Sequence, residues 1–531
     1  MTDYPSFNSL DDANIYVNLD EPCDTVEFCP YFPFTSCFAS GTYSYTPSTK
    51  IKDGHFTCYY VDQKSQPFKL RQFHKQPVDA ILDLKWAPFL PKHCFTQAFE
   101  ENATSSIVAG ACANTGIQFF KFTADPSNST SMPNVKQISK KIENPFGIEP
   151  KRMCLSLDWH RYSIPEDSKL VTSLDNQLVS VVRTSFPSLY SESQTECSEA
   201  IVDYVWDAHS SDVWTAAWAH PQEYPEVVLS GADDHRLRAW DLRLIDKCNQ
   251  KQQKCNEEKE QQGKTTNEDD SLEDDVEEEE DDFDSSFQLF KTPQRPLSPF
   301  HQQTKYQRPK PIVENSTSHE TGVTCISQHP FHPHNFATGS FDEHVRLWDL
   351  RKLDEPVWTM KAKDGVWRIK WIAQEMRENY SSDKEKGCFE CEDPKKYRFG
   401  DEGDLMLIAC THGGCSCIYS FDGTSQPDES SSSAEVPPQP SSSASPSSKQ
   451  TPSEVKSVIQ SPRLVFTHSG HKSMNYGCDW MRPLPDSNSL FCASVGFYDK
   501  SLHVWRADKR DGEGSEDKKE DKKETENPKS E

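Results

Sequence analysis

The sequence predicts an all-β fold, a seven-bladed propeller closed by an N-terminal strand. Three observations carry this. The stretch Val228–Arg243, VLSGADDHRLRAWDLR, returns later as Phe336–Arg351, FATGSFDEHVRLWDLR. One order of strand-like segments recurs seven times. An orphan strand opens the chain, and its counterpart is missing from the last repeat.

In each copy a small-residue strand runs into a tight turn at Asp234 or Asp342. A short polar residue suits that turn because its carboxylate can accept from the loop backbone. The second strand alternates, with Val345 and Leu347 against Arg346, which buries one side. It ends at Trp240-Asp241 or Trp348-Asp349. This is the pattern of a tryptophan–aspartate (WD40) repeat, with four strands, a to d, per blade. Asp234, Asp342 and Asp499 read as turn aspartates, and Trp240, Trp348 and Trp505 as blade tryptophans, all structural.

Within residues 12–507 the blades follow in order. Blade one has Cys23–Phe28, Phe38–Tyr45 and Phe56–Val61 as strands a, b and c. Blade two has Ile81–Trp86, Ile107–Cys112 and Gly116–Phe122. Blade three has Met153–Trp159, Leu170–Ser173 and Gln177–Val182. Blade four joins Val213–Trp218 to the first hairpin, and blade five joins Val323–Gln328 to the second. Blade six has Val366–Trp371, Leu405–Cys410 and Cys415–Ser420. Blade seven has Tyr476–Trp480, Leu490–Gly496 and Leu502–Trp505, and then gives way to a charged tail at 508–531. Ile15–Leu19 is the spare strand that fills the gap, which removes exposed sheet edges.

Three insertions interrupt the blades, at 244–311 (acidic), 373–404 and 422–461 (Ser/Pro-rich), and their compositions are those of disorder. They fall at c–d, a–b and c–d connections, which leave a propeller on one face. The opposite face keeps short loops and is the expected functional face.

Hydrophobic residues make up only 34%, and the formal net charge is −27, which argues against nucleic acid as a main partner. Between Glu257 and Asp284 sixteen acids stand against two lysines. No apolar run is long enough to span a bilayer. The N-terminus is polar and acidic, unlike a signal or transit peptide. The 18 cysteines therefore read as thiols of a soluble cytoplasmic protein, expected to be monomeric. Cys388 and Cys391 form one C-x-x-C, with Cys410, Cys415 and Cys417 downstream; without a second regular pair, no metal is assigned. No P-loop, dinucleotide fingerprint or G-x-S-x-G elbow is present, and no cofactor is expected.

Aligning the a strands on their closing aromatic brings Trp214, Trp367 and Tyr476 to one rim. Aromatic faces around a pocket attract a quaternary ammonium by about 0.5–2 kcal/mol each, and Asp212 or Asp364 would add charge complementarity. The next position holds Arg368, a forked cation suited to an oxyanion. The b–c turns on that face carry Glu343, His344 and His412, where a His/carboxylate pair can act as general base near neutral pH.

The strings GSFDEHVRLWDLR (339–351), DGVWRIKW (364–371), LIACTHGG (407–414), YGCDW (476–480) and FYDKSLHVW (497–505) resemble the diphthine methyl ester hydrolases, WD40 proteins of diphthamide biosynthesis. So does the stretch from Trp206 to Arg243. The resemblance implies an enzyme, a carboxylic ester hydrolase that removes the methyl ester of methylated diphthine on elongation factor 2. It carries over no catalytic set, so the residues above are assigned on their positions alone. A competing expectation is a non-catalytic scaffold, a substrate receptor of a cullin ubiquitin ligase, because Trp240–Arg243 and Trp348–Arg351 both end as WDxR.

Overall fold

The structure is a computed structural model. It describes residues 6–8, 14–88, 105–125, 132–138, 152–186, 200–245, 309–372, 404–421, 462–482 and 489–508, apart from positions 32, 115, 222, 331 and 412. Nearly all of the three insertions and of the charged tail lies outside these residues.

The strands form seven antiparallel sheets, the blades of a seven-bladed β-propeller. The expected order holds in each. In blade five, Val323–Gln328, Asn335–Ser340, His344–Asp349 and Trp358–Lys361 pair in sequence as strands a to d. In blade four, strand c pairs with Val313–Asn315, so the acidic insertion does separate c from d. In blade six, Ser416–Phe421 pairs with Arg463–His468, which places the Ser/Pro segment likewise. Blade one departs from expectation. Its strand c runs over Ile51–Asp62, beyond Phe56–Val61, and Ser6–Asn8 pairs with its strand d, Lys69–Asp79.

The spare strand is where the arithmetic of strands requires it. Asn14–Asn18 pairs with Ser501–Trp505, Ile15 opposite Val504 and Val17 opposite Leu502. Its burial alternates, with Ile15 and Val17 inside and Tyr16 44% exposed.

The chain divides into two compact units. One, residues 79–123 and 134–369, holds blades two to five. Its blades share cores such as Ile107, Phe119, Trp159, Leu170 and Phe186 between blades two and three. The other, residues 1–78, 124–133 and 370–531, holds blades one and seven and most of blade six. Ile15, Phe28, Tyr59, Phe491 and Leu502 share a core there.

A repeated polar link fastens blade to blade. Four of the a strands offer a buried acceptor to the backbone of the next a strand. Asp83 Oδ2 accepts from Leu157 N at 3.3 Å, Asp158 Oδ2 from Trp218 N at 2.9 Å, and Thr215 Oγ1 from Ile326 N at 3.2 Å. In the other unit Asp479 Oδ2 accepts from Phe28 N at 2.6 Å. Burial pushes Asp158 up to about 6, and Asp479 also upward.

Buried histidines shift the other way. Burial lowers His220, His319 and His503 to about 3 and His468 to about 4. His220 Nδ1, His319 Nδ1 and His503 Nε2 have no hydrogen-bond partner among the described residues, so nothing there welcomes a second proton. A histidine held neutral in the fold binds protons only when unfolded, so its contribution is complete above the unfolded value and is lost as pH falls. The two raised aspartates act oppositely, gaining stability below about 6. Four histidines outweigh two aspartates. Tm should fall by roughly 5 °C between pH 7 and pH 5. Differential scanning fluorimetry across that range checks this, and a Tm that rises on acidification would show the carboxylates dominate.

Candidate functional site

The b–c turns are built alike in blades four, five and seven. The residue after each turn aspartate is left-handed: His235 at φ 63°, Glu343 at 65° and Lys500 at 53°. The aspartates anchor a chain of polar contacts. In blade four His209 Nδ1 donates to Asp234 at 2.9 Å, His209 Nε2 meets Ser230 Oγ at 2.7 Å, and Trp240 Nε1 donates to Ser230 Oγ at 2.8 Å. Blade five repeats the inner part, with His319 Nε2 and Trp348 Nε1 both 2.9 Å from Thr338 Oγ1. Blade seven does so through His471, Ser494 and Trp505. Turn aspartate and blade tryptophan are thus two ends of one network. The hydroxyl sits within the hairpin, as Ser230 or Thr338, but the histidine comes from the loop before strand a, so the hairpin motif alone does not display it.

Trp214 and Trp367 do come together. Their rings meet edge-on, 5.5 Å between centroids, and Phe341 packs on Trp367 at 5.4 Å. Trp367 is buried and Trp214 half-buried. Trp214 Nε1 donates to Asp233 Oδ1 at 2.6 Å. Burial raises the Asp233 carboxyl, and neighbouring Asp212 reinforces the shift. Gly322 makes room for it, since a Cβ there would lie 2.4 Å from Asp233 Oδ1. The result is an aromatic cluster of Trp214, Phe341 and Trp367 with a carboxylate bound at its edge. Asp233 and Phe341 were not among the sequence candidates. The signal existed, because each immediately precedes a turn aspartate, as Tyr498 precedes Asp499.

Arg368 lies beside this cluster, its guanidinium 6.0 Å from the Trp367 ring centre. It points to the a strand of blade two, 3.4 Å from the Leu82 carbonyl and 3.7 Å from Asp83 Oδ1. Asp212 Oδ1 accepts from Asn176 N at 2.9 Å, and its carbonyl from Asp233 N at 3.1 Å, so it braces Asp233. Asp364 Oδ1 accepts from Gly365 N at 2.6 Å.

The remaining candidates have partners of their own. Tyr476 is buried in the unit of blades six, seven and one, its ring tilted against Phe497 with 5.0 Å between centroids. Glu343 and His344 are adjacent in sequence but engage different partners. Glu343 pairs with Lys361 at 3.1 Å, while His344 Nδ1 donates to the Asp342 carbonyl at 2.6 Å. His412 lies outside the described residues. Arg243 and Arg351 of the two WDxR endings clasp their own aspartates, Asp241 at 2.6 Å and Asp349 at 2.5 Å, from exposed positions.

Comparison with known proteins agrees with the fold. The family model described as "WD domain, G-beta repeat" matches residues 202–241 and 312–349. Human diphthine methyltransferase is 23% identical over 373 residues, 67% of this chain and 62% of that protein. The mouse protein of the same name is 22% identical over 67% of this chain and 58% of its own length. A diphthine methyltransferase homolog of Dictyostelium discoideum is 22% identical over 70% of this chain and 67% of its own. The chain therefore spans about six-tenths of the length of its human and mouse relatives. No helix among the described residues is long and apolar enough to cross a membrane. The chain carries WD40 repeats, and over about two-thirds of its length it is similar to proteins named diphthine methyltransferase.

Proposed function

We propose that this protein hydrolyses the methyl ester of methylated diphthine on elongation factor 2, in the cytoplasm, yielding diphthine for the later amidation to diphthamide. The observation that carries the reading is the pairing of Trp214 and Trp367 beside Asp233. Methylated diphthine presents a trimethylammonium next to a methyl ester. Indole faces and a carboxylate complement the cation, and Asp233 takes the charge-balancing role for which Asp212 and Asp364 were candidates. Arg368, its guanidinium 6.0 Å from the Trp367 ring centre, is the cation assigned to the ester oxygen. Water adds to the ester carbonyl carbon, and the guanidinium stabilises the oxyanion. Collapse expels methoxide, which leaves as methanol with a proton from the attacking water. The relatives' name assigns methyl transfer; here the acceptor is water.

The test is mass spectrometry of elongation factor 2 from cells lacking the protein. Methylated diphthine should accumulate and disappear when the wild-type chain is restored. Normal diphthamide in those cells would remove the assignment. The adaptor reading of Arg243 and Arg351 separates in the same cells, since it requires a ligase adaptor to co-purify with the wild-type chain and not with an R243A/R351A variant.

A further inference from the structure

Strands b and c of blade six carry different side chains where blade five builds its histidine–hydroxyl–tryptophan network. In blade five Thr338 stands opposite Arg346, and its hydroxyl binds both His319 and Trp348. In blade six Ile408 stands opposite Cys417 and Met406 opposite Tyr419. Isoleucine thus occupies the hydroxyl's place, and tyrosine the tryptophan's. On that same face, at the same end of the sheet, three thiols converge. Cys410 closes strand b, and Cys415 and Cys417 open strand c, two residues apart and therefore on one side. Their sulfurs all lie within 4.8 Å of one another, and Cys415 Sγ is 3.8 Å from Cys417 Sγ. All three are fully buried.

We infer that Cys410, Cys415 and Cys417 form a thiolate site for a soft cation, zinc, which ties the b–c turn of blade six as the histidine–hydroxyl–tryptophan network ties the others. Buried structural cysteines are ordinarily inert small hydrophobes, and this chain has many. The trio differs in its mutual approach, because sulfurs around one zinc at about 2.3 Å each sit just under 4 Å apart. The turn is also preorganised. Gly414 has φ +55°, and a Cβ there would lie 2.4 Å from the Ser473 carbonyl oxygen. Asn475 Nδ2 donates to the Cys415 carbonyl at 3.2 Å and to Ser416 Oγ at 2.7 Å. Cys410 N donates to the Cys415 carbonyl at 2.9 Å. These contacts fix the ligand-bearing backbone without using a sulfur, as supporting bonds do in metal sites. The neighbouring thiols of Cys415 and Cys417, and then burial, raise the Cys410 thiol; a thiol that binds a cation as thiolate gives up its proton. Three thiolates and Zn²⁺ leave one negative charge in the interior, whereas Cu⁺ would leave two. Thr467 Oγ1 lies 3.8 Å from Cys417 Sγ.

The experiment is metal analysis of the full chain purified without chelators, followed by Co²⁺ titration of the stripped protein. About one zinc per chain is expected, with thiolate-to-cobalt absorption on titration. Cys417→Ser should lose both, while the double variant C388S/C391S keeps both. Copper in place of zinc overturns the choice of ion. Wild-type protein with neither metal nor a cobalt band overturns the site, as does metal that survives Cys417→Ser and vanishes in C388S/C391S. If Cys417→Ser fails to fold, the wild-type cobalt spectrum and the C388S/C391S comparison decide alone.

Discussion

Trp367→Ala should lower kcat/KM toward methylated diphthine by about 30-fold, equivalent to losing about 2 kcal/mol of cation–π attraction. The indole is the centre of the cluster, touching Trp214 on one side and Phe341 on the other. Its removal takes away a face for the trimethylammonium and loosens the second one. Trp367→Phe keeps an aromatic face and should retain most of the rate. Truncation also removes packing, so melting curves must accompany the kinetics. A folded Trp367→Ala enzyme with wild-type turnover, measured by mass spectrometry of the elongation factor, would show that the cluster does not hold the cation. Loss confined to KM would mean that the indole binds ground state and transition state equally.

The largest stability effect is expected at Trp348→Ala, at about 3–5 kcal/mol for the lost core volume. Trp348 is fully buried and stacks on Phe336 at 6.3 Å and on His319 at 5.8 Å. Its indole N–H is also one of two partners of Thr338 Oγ1. Thr338→Val probes that hydroxyl alone. It keeps the volume but orphans two buried nitrogens, at about 1–3 kcal/mol. Urea unfolding midpoints of the two variants should rank Trp348→Ala below Thr338→Val below wild type. Equal midpoints for Thr338→Val and wild type would mean the network adds nothing to packing.

These predictions rest on features of unequal legibility. The blades could be read because a hairpin is local: the turn aspartate, the alternation and the tryptophan lie within one short stretch. The spare strand could be read because counting strands needs no coordinates. The pairing of Trp214 with Trp367 was foreshadowed by aligned positions, since equivalent residues of repeated blades point the same way. What eluded the sequence was identity within a turn. Glu343 looked like a free carboxylate next to a histidine, yet its place after Asp342 demands a left-handed backbone, and its side chain turns to Lys361. Asp233 drew no reading beside the turn residue Asp234, yet it accepts from Trp214 in the aromatic cluster. Cys410, Cys415 and Cys417 follow no familiar ligand spacing, and only the strand register puts them on one face.

The pairing of Asn14–Asn18 with Ser501–Trp505 joins segments far apart in the sequence. During synthesis the first of these leaves the ribosome long before the second and has no partner until that one emerges. Domains acquire structure progressively from the amino terminus as they are made, but this sheet cannot be completed until Ser501–Trp505 has been made. Throughout that interval a short apolar segment, Ile15 and Val17 among it, waits unpaired. Such a nascent chain is a natural client for chaperones that shelter exposed strand edges.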